Sequence, residues 1–155
     1  MKKIVLAIIA GIIPLVLPAA STDFWFRHFS VEDGLSSNSV RAIMQDKYGF
    51  MWLGTDDGLN RYDGTTIKVY NLNPQGSNDY ISSLYDTTDN IWIGTEDGVY
   101  IFDYETENFE PFKVLTAQGD SIKSNVNHIA EDRDGNLWFS TVGQGIFKYN
   151  ISKHY

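Results

Sequence analysis

The chain has 155 residues, a formal net charge of −8, an aromatic share of 14% and no cysteine. Without cysteine there is no disulfide framework, thiolate metal site or lipid-bearing thiol, so packing must supply the stability. The acidic balance becomes −10 once Lys2 and Lys3 are removed with a leader, which argues against a nucleic-acid partner, since that normally needs a basic face.

The N-terminus reads Met1-Lys2-Lys3, then an apolar run from Ile4 to Leu17, then Pro18-Ala19-Ala20-Ser21. Two cations, a short apolar stretch and a small-residue exit predict a helical secretory signal peptide over residues 1–21. An uncleaved anchor is the competing reading, but Ile4–Ala20 falls short of the roughly 20 apolar residues that span a bilayer. Export places the mature chain, residues 22–155, in the periplasm. No later stretch is apolar enough to form a stable membrane span.

Three segments then align on a tryptophan: Trp52, Trp92 and Trp138, with periods of 40 and 46 residues. An Asp stands six residues before each (Asp46, Asp86, Asp132) and a Thr three residues after each (Thr55, Thr95, Thr141). In the first segment Val40-Arg-Ala-Ile-Met-Gln predicts an inner strand, Lys47-Tyr48-Gly49 a turn, and Phe50-Met-Trp-Leu-Gly-Thr a second strand rich in aromatic and aliphatic residues. Asp57-Gly58 predicts a hairpin, because glycine accepts positive φ. Leu59–Tyr62 and Thr66–Tyr70 complete four strands, with Asp63-Gly64 between them. Four short antiparallel strands in roughly 40 residues make one propeller blade. The blades are expected at about 39–71, 80–112 and 124–150, so the fold is all-β, an incomplete β-propeller of about three four-stranded antiparallel blades.

The ends are out of phase. Phe24-Trp25-Phe26-Arg27-His28-Phe29-Ser30 matches the fourth strand of a blade (compare Ile67–Asn71), and the third repeat stops after its third strand. Residues 24–30 are therefore expected as a closing-blade strand. Propellers typically have four to eight blades. The chain is thus expected to be a fragment of a longer protein, with a truncated product or one part of an oligomeric ring as the other readings.

The run Leu35-Ser-Ser-Asn-Ser-Val, followed by Asp46, Gly49, Trp52, Gly54, Thr55, Gly58, Leu59, Arg61, Tyr62 and Asp63 at their spacings, resembles the two-component regulator propeller repeat. Phe29-Ser-Val-Glu-Asp-Gly-Leu35 after a signal peptide is similar to the start of the sensors that carry it. Repeat two departs at Asp89 and Val99, and repeat three at Ser140 and one extra turn residue. The resemblance covers about residues 24–150. It implies the periplasmic sensor region of a hybrid two-component histidine kinase, with glycan-derived oligosaccharides as the ligand class. The kinase, receiver and DNA-binding segments of such sensors are not in this sequence, so this chain alone phosphorylates nothing.

The recurrent Trp, Thr and Asp residues are expected to be scaffold: Trp as blade-to-blade packing, Thr and Asp as partners of turn backbone. Asp132-x-Asp134-Gly135 lacks the remaining ligands of a calcium loop, so no metal and no cofactor are expected. His28, His128 and His154 sit in no catalytic motif, no hydrolase elbow is present, and no catalytic residue is assigned. Glycoside hydrolysis needs only two carboxylates, but nothing selects a pair. A ligand site should use off-repeat residues at one end of the propeller axis, and the candidates are Arg41, Tyr80 and His128. The expected partners are an oligosaccharide, and further blades or another copy of the chain.

Overall fold

The computed structural model describes residues 25–72, 79–113 and 121–151. The expected signal peptide, Phe24 and His154 lie outside these. Strands β1 (Val40–Gln45), β2 (Met51–Thr55), β3 (Gly58–Tyr62) and β4 (Ile67–Tyr70) form one antiparallel sheet in that order. Strands β5 (Ile81–Asp86), β6 (Asn90–Thr95), β7 (Gly98–Asp103) and β8 (Asn108–Pro111) form a second. Strands β9 (Val126–Glu131), β10 (Asn136–Thr141) and β11 (Ile146–Asn150) form a third, of three strands. Each sheet is one blade, and the inner strands β1, β5 and β9 lie side by side.

Blades stack by their faces. Strand β6 is buried almost throughout because alternate residues serve two neighbours. Ile91 and Ile93 join Trp52, Leu59 and Phe102 in the core between blades 1 and 2. Trp92 joins Val126, Leu137 and Phe139 in the core between blades 2 and 3. The tryptophans grade accordingly: Trp52 is 0% exposed and Trp92 4%, while Trp138, whose face meets no further blade among the described residues, is 38% exposed.

Two residues beyond each tryptophan the same face comes close to the next inner strand. A Cβ on Gly54 would stand 2.5 Å from Ile81 Cγ2, and one on Gly94 would stand 2.8 Å from the Val126 carbonyl oxygen. Only glycine fits such an approach without displacement. The third repeat has Ser140 at this register, on the uncovered face.

The hairpin turns differ in detail from expectation. Asp56 and Asp57 form the turn itself, and Gly58 opens β3 with φ 119°. The inner turns carry a larger difference. Gln45 pairs with Met51 and Glu131 with Leu137, so five residues bridge the strands in blades 1 and 3. Asp86 pairs with Ile91, leaving four residues in blade 2. The longer turns place Gly49 (φ 91°) and Gly135 (φ 76°) in the left-handed region. Asp89, which replaces that glycine, does not enter it; among the described non-glycine residues only Glu107 has positive φ. With no glycine at that position the turn closes one residue shorter, through Thr87 N–H to the Asn90 carbonyl. Asp86 thereby becomes the last strand residue, in the place of Gln45 rather than of Asp46.

Residues 25–30 pair with no strand among the described residues, although they were expected as a strand of a closing blade. A strand exists only by its ladder, and no partner edge stands beside them here. Their side chains still occupy a blade-like position. Phe29 packs on Tyr62 at 4.9 Å, as Phe112 of blade 2 packs on Tyr149 of blade 3 at 5.0 Å. Trp25 and Phe26 point outward, 90% and 96% exposed.

Replacing Gly54 by Ala should destabilise the fold by about 1–3 kcal/mol through overpacking against Ile81. Ser140→Gly should cost only the glycine entropy, about 0.5–1 kcal/mol. Urea unfolding of the two variants compares them, and equal losses would refute the packing assignment.

Candidate functional site

The recurrent residues divide between turns and interfaces. Thr55, Thr95 and Thr141 each donate a hydroxyl hydrogen bond to a turn carbonyl, of Gly58 (2.9 Å), Gly98 (3.1 Å) and Gly145 (2.8 Å). Asp46 accepts from the Tyr48 and Phe50 N–H groups and from Trp52 Nε1 at 2.7 Å. Asp132 accepts from the Asp134 and Asn136 N–H groups and from Trp138 Nε1 at 2.8 Å. These donors hold the Asp132 carboxyl far below the usual carboxylate range, the Trp138 bond contributing most.

Asp86 does not follow this pattern. The shorter turn moves it away from its indole, and it accepts instead from Tyr104 Oη (2.8 Å) and from the Lys47 N–H of blade 1 (3.0 Å). Trp92 Nε1 is consequently buried without a partner.

Arg41 is the extra residue of a β-bulge: Val40 pairs with Thr55 and Ala42 with Gly54. The bulge turns its side chain toward the β2–β3 turn, where its guanidinium forms a two-pronged ion pair with Asp56. This pair is the main reason that Asp56 is held below, and Arg41 above, its ordinary pKa. The guanidinium also lies 4.9 Å from the ring centroid of Tyr80, at the entrance of the next inner strand. Arg41, Asp56 and Tyr80 thus form one cluster at the end of the blades where the inner strands begin.

His128 is not brought to this cluster. It pairs with Ser140, beyond the bulge of β9, so it shares the uncovered face of blade 3 with Trp138. It is exposed.

The sequence reading missed the support beneath the cluster. Asn60 is fully buried, accepts from the Ser36 N–H (2.9 Å), and donates to Ser36 Oγ (2.8 Å) and to the Leu53 carbonyl. Ser36 Oγ in turn meets Thr55 Oγ1 at 2.8 Å. This network ties the loop before β1 to the Asp56 turn. The signal for it was a polar residue at a register that holds Tyr100 and Phe147 in the other blades.

Comparison with known proteins follows the same geometry. The family model for the two component regulator propeller matches residues 34–57 and 121–143. Two stretches of the chain, in the first and third repeats, thus match the two-component regulator propeller repeat. Repeat two, with its shortened turn, lies outside both matches. The extracellular domain of the putative hybrid two component system BT3049 from B. thetaiotaomicron superposes with TM-score 0.73 at 32% identity, over 83% of this chain and 19% of that one. The extracellular domain of the putative one component system BT4673 from the same organism gives TM-score 0.60 at 26% identity, over 76% of this chain and 17% of that one. PorZ, described as a surface component of the type-IX secretion system of Porphyromonas gingivalis, shares the fold at TM-score 0.57 and 21% identity, over 79% of this chain and 20% of its own. The protein named histidine kinase P4 of Formosa agariphila is 46% identical over 70 residues, 45% of this chain. Those 70 residues make up 5% of that relative's length.

Asp63, Asp103 and Asp132 all accept turn N–H groups that hold their carboxyls below the ordinary range. Their stabilisation is therefore complete above the unfolded-state value of about 3.9 and is lost as pH falls through the lower folded values. Thermal melts should be flat down to about pH 5 and fall progressively in more acidic buffer. Asp132→Asn should make that acid limb shallower, and an unchanged limb would refute the role given to Asp132.

Proposed function

We propose that the chain is the exported, ligand-sensing part of a two-component regulator, resident in the periplasm, with a glycan-derived oligosaccharide as its ligand. The observation that carries the reading is the likeness to the BT3049 extracellular domain over 83% of the chain. The Arg41–Asp56–Tyr80 cluster supports it chemically. A guanidinium and a carboxylate offer donors and acceptors to sugar hydroxyls, beside an aromatic ring on which a pyranose can stack. These residues stand on loops and strand entrances, where a rigid scaffold commonly carries recognition. The chain contributes recognition and no phosphoryl transfer of its own.

A second reading concerns what covers blade 3. Its face carries Trp138, with Val142 and Ile146 exposed nearby at 56% and 70%. Further blades or another copy of this chain would bury it, and sedimentation of the purified chain separates these, since a monomer excludes the second.

Titrating the purified chain with oligosaccharides of different glycan backbones, followed by calorimetry, tests the sensing role. One class should bind, and Tyr80→Ala should weaken it about fivefold or more. Binding by no glycan would refute the ligand class. Binding undiminished by Tyr80→Ala would move the site elsewhere.

A further inference from the structure

At the opposite end of the blades, between blades 1 and 2, lies a cleft of about 230 Å³ lined by Tyr48, Phe50, Arg61, Phe102, Tyr104, Glu107 and Asp46. Its key members are off-repeat. Arg61 pairs across the ladder with Trp52, where blade 2 has Ile101 opposite Trp92. Tyr104 follows Asp103, where blade 1 has Gly64 after Asp63. The shortened turn of blade 2 helps to shape the cleft, since it sets Asp86 against Tyr104 Oη and the Lys47 N–H.

Arg61 holds an unusual position. Its side chain is only 20% exposed, and its guanidinium is stacked over Phe50 at 4.7 Å. Its guanidinium makes no hydrogen bond among the described residues, its nearest acid being Glu107 at 3.7 Å, beyond hydrogen-bond reach. Glu107 is shared at 4.0 Å with Lys68 and is the one described non-glycine residue at positive φ, 53°. Lys47 adds a third cation, over the rings of Tyr48 (5.0 Å) and Tyr104 (4.7 Å), with its ammonium bonded, among the described residues, to the neutral Thr88 carbonyl. The other two carboxylates nearby are committed to protein donors, Asp46 to two N–H groups and an indole, Asp86 to an N–H and a phenol. Arg61 and Lys68 therefore share one loosely held acid, with Lys47 over the neighbouring rings.

We infer that this cleft binds a small ligand carrying a carboxylate on a six-membered ring, with Arg61 gripping the carboxylate and Tyr48 covering the ring. A guanidinium presents a planar fork matched to a carboxylate, and here it is preorganised by stacking and lacks a close partner. Tyr48, 62% exposed and edge-on to Tyr104, offers the ring surface. Glu107 is the counter-ion that the ligand competes with. The site is separate from the Arg41 cluster and does not depend on the role assigned there.

Calorimetric titration of the purified chain with D-glucuronate, benzoate and glucose tests this. At least one acid should bind, and glucose should bind about tenfold more weakly or worse. Glucuronate alone would identify an acidic sugar as the source of the carboxylate, and benzoate alone an aromatic acid. Arg61→Gln should weaken the bound acid about tenfold or more, and Glu107→Gln, at an exposed position that does not threaten folding, should strengthen it a few-fold. Binding of neither acid, glucose binding as well as glucuronate, or weakening by Glu107→Gln would overturn the inference. Undiminished binding by an Arg61→Gln variant that melts like the parent would do the same.

Discussion

Everything in this protein depends on strands that are buried on both faces. A blade has little interior of its own. Its apolar side chains find water-free surroundings only between sheets, which is why Ile91 and Ile93 belong to one core and Trp92, between them in sequence, to another. The close approach at Gly54 and Gly94 follows from the same demand, since a large indole on one face can be covered only if the adjoining position yields space to the next inner strand.

Turn length and polar bonding are coupled through this packing. In blades 1 and 3 a left-handed glycine lets the inner turn run to five residues, and the aspartate at its start caps both the turn and the indole. In blade 2 the glycine is missing, the ladder advances by one residue, and the aspartate joins a different network. A buried indole N–H without a partner costs free energy of the order of 1–3 kcal/mol. Against that cost stand the Asp86 bonds to Tyr104 within blade 2 and to the Lys47 N–H of blade 1, the second of which ties the two blades together.

The blades were legible in the sequence because each repeat must solve the same local problems again. Trp, Thr and Asp recur at fixed spacing for that reason. The register of blade 2 was not legible, since Asp86 keeps its six-residue distance from Trp92 while the turn between them changes length. Arg41 and Tyr80 were chosen singly, but their meeting with Asp56 depends on a bulge, and a bulge leaves no mark in composition. The same bulge geometry in β9 sends His128 to another face. Asn60 and Arg61 were hidden differently: each occupies a position whose counterparts in the other blades have different chemistry, and no repeat pattern announces a residue that breaks it.

The four tryptophans consequently occupy four different electronic environments. Trp52 is buried with its N–H bonded, Trp92 buried with its N–H bare, Trp138 partly wet and bonded, and Trp25 almost fully in solvent. Indole emission and proton resonance respond to solvent polarity and hydrogen bonding, so one spectrum of the unmodified protein can report separately on each blade boundary and on the N-terminal segment. The irregularity of blade 2 thus gives an otherwise repetitive molecule an internal label at its centre.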